Sequence, residues 1–96
     1  MAYADIMIGV LRSELGEHER AAANLQQALA FAQALGDPRW EAYVLLNLGV
    51  IALARGSHDE ARHHLGQSLA MYERAGDRHG ASRVRHVLAG TLESQA

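Results

Sequence analysis

The sequence predicts an all-α fold in which about five helices pair into antiparallel hairpins and stack as an α-solenoid. Eighteen Ala and thirteen Leu make up 31 of the 96 residues, and Pro occurs once, a composition that favours helix. Shifting the chain by 40 residues aligns 56 pairs, of which fifteen are identical, from Ala2/Ala42 to Leu48/Leu88. A repeat of this length is typical of stacked helical hairpins.

The repeat divides the chain into two full units and one additional helix, all within a single domain covering residues 1–96. Repeat 1 is expected at about 3–38, repeat 2 at about 39–78, and the terminal helix at about 79–94. Each full repeat has a first and a second helix. The five helices are expected at about 3–15, 18–35, 39–55, 58–75 and 78–93.

Glycine marks the turns between these helices. Gly16 and Gly56 predict the turn inside each repeat, because glycine adopts the left-handed conformation that follows many helices. The stretch Gly36-Asp37-Pro38 predicts the turn between repeats, where Gly ends one helix, Asp caps the next and Pro occupies its first position.

An apolar stripe on the first helix of each repeat predicts the internal core. The spacing of three and four residues places its members on one helix face, as expected for a face that is buried. The members are Ala4, Ile8, Leu11 and Leu15 in repeat 1, and Val44, Leu48 and Ile51 in repeat 2.

Small and large residues recur at matching positions of the two repeats. Repeat 2 has Leu48-Gly49 in its first helix and Ala61-x-x-x-Leu65 in its second, and repeat 1 has Ile8-Gly9 and Ala21-x-x-x-Leu25. This pattern resembles the tetratricopeptide repeat family. The departures are Asp5 and Leu45, which stand where Trp is commonest in the family, and Arg12 and Ala52, which stand where Tyr is commonest.

The period of 40 residues is longer than the usual tetratricopeptide repeat of about 34. It resembles the longer repeats of kinesin light chains and of arrays in bacterial regulatory proteins. The resemblance implies a non-catalytic scaffold that binds a peptide or helix of a protein partner on its concave face. It also implies that the chain is part of a larger bacterial regulatory protein.

A second stripe on the first helices predicts where a partner binds. In the family this stripe lines the concave surface, and the counterpart of Asn47 often forms hydrogen bonds with a peptide backbone. The alternative is that the stripe only packs against neighbouring first helices. The candidate partner-binding residues are Tyr3, Ile6, Met7, Val10, Tyr43, Leu46, Asn47, Val50, Arg83 and His86.

A different function is suggested by the last predicted helix, which carries an apolar stripe although no sixth helix is predicted to cover it. A solenoid normally ends in a polar capping helix. The alternative hypothesis is therefore a self-associating structural module whose apolar faces form a homodimer interface. The candidate self-association residues are Val84, Val87, Leu88 and Leu92.

Catalytic and cofactor sites are not expected. The chain has no Cys, which excludes a disulfide framework and a Cys nucleophile. Neighbouring His63 and His64 point about 100° apart on a helix, so they cannot chelate one metal ion together. A hydrolytic triad and a phosphate-binding glycine loop have no match. We therefore expect no enzyme activity, no cofactor and no metal.

The charge and hydropathy patterns bear on the class of partner and on location. Nine Arg against eleven acidic residues give a net charge of −2, which disfavours general binding to nucleic acid. No apolar run approaches the length of about 18 residues needed to span a membrane. The first residues lack the features of a secretory signal. A cytoplasmic protein without membrane contact is expected.

Overall fold

The computed structural model describes the backbone of residues 18–95 and the side chains of residues 18–90. This part of the chain forms four helices and no strand, which confirms the all-α fold. The predicted helix at about 3–15 lies outside the described residues. The four helices correspond to the second to fifth predicted ones, and they are α1 (His18–Leu35), α2 (Pro38–Ala54), α3 (His58–Arg74) and α4 (Arg78–Gln95).

The turns follow the local signals in the sequence. Asp37 caps α2 by accepting hydrogen bonds from the backbone N–H groups of Arg39 and Trp40, at 3.1 and 3.4 Å. Asp77 caps α4 in the same way, accepting from the N–H of Gly80 at 2.9 Å. Glycines in the left-handed region precede the next helix at each turn, with φ of 67° at Gly36, 78° at Gly56 and 72° at Gly76.

Helix α2 lies at the centre of the packing. It contacts α1 on one side and α3 on the other, while α4 packs on α3 and also touches α2. The first core cluster joins α1 to α2 and contains Ala21, Leu25, Ala28, Val44, Leu45, Leu48 and Ile51. The second joins α2, α3 and α4 and contains Ala42, Leu46, Ala52, Ala61, Leu65, Tyr72, Ala81 and Val84. The predicted core positions Val44, Leu48 and Ile51 are thereby confirmed.

The closest approach between α2 and α3 depends on small residues. A methyl group placed on Gly49 would lie only 2.6 Å from Cγ of Leu65, so α3 approaches α2 at a position where α2 has no side chain. Further along α3, the buried Ser68 hydroxyl donates to the carbonyl of Ala42 at 2.6 Å. The Leu-Gly and Ala-x-x-x-Leu motifs of repeat 2 therefore meet across one helix pair.

Candidate protein-interaction face

Helices α2 and α4 are the first helices of consecutive repeats, and they lie next to each other. Tyr43, Asn47 and Val50 are spaced four and three residues apart on α2, so they share one helix face. Val50 is 41% exposed, so its apolar side chain is accessible on this face. Exposed Arg83 and His86 stand on α4. We call these five residues the first-helix face.

The Tyr43 ring is held between two neighbouring side chains. The guanidinium carbon of Arg83 lies 5.9 Å from the centroid of the ring, within range of a cation–π interaction between α4 and α2. The Trp40 ring meets Tyr43 edge to face, with centroids 6.3 Å apart. These contacts fix the orientation of a side chain that is only half-buried.

The side chain of Asn47 is also oriented in advance. Its Nδ2 donates to the backbone carbonyl of Tyr43 one turn earlier, at 2.9 Å. Within residues 18–90 this is its only hydrogen bond, so Oδ1 and the second amide hydrogen have no partner among the described residues. An amide with one donor and one acceptor free can bind both polar groups of a peptide unit.

The only formal charge among the five residues of this face is the positive charge of Arg83. The described side chains of α4, residues 78–90, include no Asp or Glu, and Arg85 of the same helix is paired with Glu73 of α3 at 2.9 Å. On α2 the carboxylate of Glu41 points elsewhere, because it accepts a hydrogen bond from Gln33 of α1 at 3.4 Å. Arg83 therefore has no neighbouring carboxylate among the described side chains of its own helix.

Tyr72 of α3 lies beneath this face and was missed by the sequence analysis. It is 4% exposed and belongs to the second core cluster. Burial raises the pKa of its phenol above the ordinary value of 10.0, and the nearby Arg83 charge partly opposes this rise. Helix periodicity is the signal that could have found it, because Ala61, Leu65 and Tyr72 are spaced four and seven residues apart and share one face of α3.

The raised pKa of Tyr72 predicts a loss of stability in alkaline solution. As pH rises above about 10, the unfolded chain releases this proton before the folded chain does. The free energy of unfolding should hold its value below that pH and then fall, and in Tyr72→Phe the fall should be smaller. Urea unfolding at a series of pH values compares the two proteins. Equal alkaline losses in both would contradict the assignment.

The structure corrects one predicted member of the partner-binding stripe. Leu46 is only 5% exposed, because α4 packs against this part of α2 and places Ala81 and Val84 in the same core cluster. Leu46 therefore agrees with the alternative hypothesis, in which the second stripe packs against a neighbouring first helix. The candidates Tyr3, Ile6, Met7 and Val10 lie outside the described residues.

The candidate self-association residues are mostly covered within the chain. Val84 is fully buried, so it cannot belong to an exposed apolar stripe as predicted. Val87 and Leu88 are half-buried and pack against the second core cluster. The side chain of Leu92 is outside the described part. No large apolar side chain among residues 78–90 of α4 is exposed.

The described residues also bear on metal binding and on membrane insertion. Within residues 18–95, no group of three His, Asp or Glu side chains converges as ligands for a metal ion. None of the four described helices is both long enough and apolar enough to cross a membrane.

The comparisons with known proteins agree with this architecture. The sequence profile described as Tetratricopeptide repeat matches residues 1–74 and, in a second register, residues 40–96. The crystal structure of the TPR domain of Arabidopsis FLU is similar, with a TM-score of 0.74 over 97% of this chain and 95% of that chain, at 22% sequence identity. No curated protein matches the sequence. The chain belongs to the tetratricopeptide repeat family.

Proposed function

We propose that this chain is a non-catalytic scaffold that binds a peptide or helix of a protein partner on the first-helix face. The tetratricopeptide repeat fold is generally a protein–protein interaction module, and its domains are typically non-catalytic. The resemblance of the 40-residue repeats to the arrays of bacterial regulatory proteins leads us to propose a place within a larger bacterial regulatory protein, and we propose a cytoplasmic location for it. By the same repeat, Tyr3, Met7 and Val10 are the counterparts of Tyr43, Asn47 and Val50, and we propose that they take part in the same function, whereas Ile6 is the counterpart of the buried Leu46.

The observation that carries the proposal is the arrangement of Tyr43, Asn47 and Arg83. Two helices contribute to it, and each side chain is already oriented by a contact within the chain. Such preorganisation lowers the entropy lost when a ligand binds. A tyrosine offers a large apolar ring with a polar end, and an amide binds main-chain groups. Together they suit an extended peptide or the side of a helix.

The charge of the face indicates which partner fits best. Arg83 and His86 stand on a helix that has no described carboxylate, and the apolar Val50 lies two turns from Tyr43. A partner segment with a carboxylate opposite Arg83 and an apolar side chain opposite Val50 would complement both features. Charge complementarity of this kind favours specificity and fast association.

The experiment starts from peptides selected on the full chain from a random display library. Dissociation constants are then measured for the selected peptides with Asn47→Ala, Arg83→Gln and Tyr43→Ala. We expect each variant to weaken binding by about tenfold, equivalent to about 1.4 kcal/mol. Gln27→Ala, at an exposed position of α1, is the matched control and should leave affinity unchanged.

The helical circular dichroism of every variant is recorded first, because an unfolded variant would lose binding for an irrelevant reason. The proposal is wrong if folded Asn47→Ala, Arg83→Gln and Tyr43→Ala all bind the selected peptides as tightly as the original chain. It is also wrong if Gln27→Ala weakens binding as much as they do.

A further inference from the structure

We propose that a second groove, on the other side of α2, holds a short extended peptide segment. Helices α1 and α3 both pack on α2, yet every Cα atom of α1 is more than 8 Å from every Cα atom of α3. The two second helices therefore do not close against each other, and a groove of 350 Å³ lies between them. A volume of this size falls within the usual range for ligand sites.

The groove has an apolar floor and amide walls. Leu45 of α2 is buried at its base, and Leu29 and Met71 are half-buried beside it. Gln26 and Gln33 of α1 stand on one wall, opposite Gln67 of α3. The rest of the lining consists of Glu41, His64, Ala70 and Arg74.

The amides match a peptide main chain better than they match a simple ion. Gln33 uses its Nε2 to donate to Glu41, whereas Gln26 and Gln67 form no hydrogen bond with any described residue. A primary amide supplies two donors and one acceptor, which are the groups needed to bind alternating C=O and N–H groups. An inorganic anion would use only Arg74 of this lining and would leave the three amides and the apolar floor without a ligand.

The dimensions limit the length of the segment. Gln26 and Gln33 are seven residues apart on α1, a distance of about 10 Å along a helix. An extended chain advances about 3.3 Å per residue, so about three residues fit. The central side chain would rest on the apolar floor formed with Leu45 and Met71.

One end of the groove distinguishes between charged residues. Arg74 is exposed and has no ion pair with any described residue, while Glu41 already accepts a hydrogen bond from Gln33. The segment should therefore carry an acidic residue at the Arg74 end. The site is separate from the first-helix face, because it uses Glu41 and Leu45 of α2 rather than Tyr43, Asn47 and Val50.

The test uses the full chain and the blocked tripeptide acetyl-Ala-Leu-Asp-amide, followed by NMR of the isotope-labelled protein. Because so short a ligand binds with a Kd on the order of 1 mM, the titration runs to roughly 10 mM. The side-chain amide signals of Gln26, Gln33 and Gln67 should shift and saturate, while that of Asn47 stays in place. The same tripeptide with Lys in place of Asp should bind more weakly.

Two variants separate the groove from a general surface effect. Gln26→Met with Gln67→Met keeps the side-chain size and removes the amides, so the Kd should rise at least fivefold. Gln27 is the repeat counterpart of Gln67, but Gln27 does not line the groove. Gln27→Met should therefore leave the Kd unchanged. Absence of saturable shifts, shifts centred on Asn47, or an unchanged Kd in the folded double variant would each overturn the proposal.

Discussion

Replacing Leu65 with Ala should lower the free energy of unfolding by about 2–5 kcal/mol, a large effect for a single substitution. Leu65 is fully buried and belongs to the cluster that joins α2, α3 and α4. Removing most of its side chain loses apolar burial and leaves a cavity that three packed helices cannot easily close. Urea unfolding followed by circular dichroism measures the change.

The matched control for this substitution is Leu35→Ala. Leu35 is 63% exposed at the last position of α1, so truncating it should change stability by no more than about 0.5 kcal/mol. The same chemical change is thereby made in the core and on the surface. Similar losses at Leu65 and Leu35 would mean that α3 does not pack on α2 as described.

Gly49→Ala should destabilise the chain by about 1–3 kcal/mol, although alanine is the better helix former by about 1 kcal/mol. The added methyl group would lie 2.6 and 2.7 Å from Cγ and Cδ2 of Leu65. Since Cγ is close to the α3 backbone, a rotation of the Leu65 side chain cannot fully relieve the contact, and the two helices must separate. The loss of packing then exceeds the gain in helix propensity.

Gly66→Ala, on the neighbouring helix α3, is expected to have the opposite effect on stability. A methyl group at Gly66 would meet no atom within 4 Å, and the position is exposed within α3. This substitution should stabilise the chain by up to about 1 kcal/mol, because only helix propensity changes. If Gly49→Ala is stabilising as well, the close approach between α2 and α3 is not present.

A double-mutant cycle connects the two effects. In the Leu65→Ala background the atoms that crowd position 49 are gone, so adding Gly49→Ala should cost less than it does alone. Strict additivity of the two free energies would contradict direct contact between these residues. The cycle therefore tests the contact itself rather than the general sensitivity of the core.

Features that depend on neighbouring residues were predictable from the sequence. Gly36, Asp37 and Pro38 act within one turn, and the structure places the helix ends where they indicate. The periodic stripe of Val44, Leu48 and Ile51 identified buried positions because helix geometry alone places them on one face.

Features that depend on which helix covers another were not predictable. The stripe containing Leu46 is apolar whether it binds a partner or packs against α4, and only the tertiary arrangement shows that α4 covers it. The prediction that Val84 belongs to an exposed stripe was wrong for the same reason, because Val84 is buried in the cluster that joins α4 to α2 and α3. The buried position of Tyr72 follows from its helical spacing with Ala61 and Leu65, whereas its proximity to Arg83 depends on the packing of α3 against α4.

The residues of the first-helix face were predictable from the sequence, but the contacts between them were not. Tyr43, Asn47, Val50, Arg83 and His86 were predicted from the family resemblance and from helix spacing. The cation–π contact that joins Tyr43 to Arg83 spans 40 residues of sequence and required the structure. The groove between α1 and α3 was not predicted, since it depends on how far two helices stand apart.

The most direct measurement of the central claim is photo-crosslinking of a selected peptide to the full chain. A benzophenone amino acid is placed at position 50 on the first-helix face or, in a second protein, at position 27 on α1, both of which are exposed. Peptide binding to the face formed by Tyr43, Asn47 and Arg83 predicts a crosslink from position 50 that excess unlabelled peptide removes, and none from position 27. A competed crosslink from position 27 with none from position 50 would contradict it.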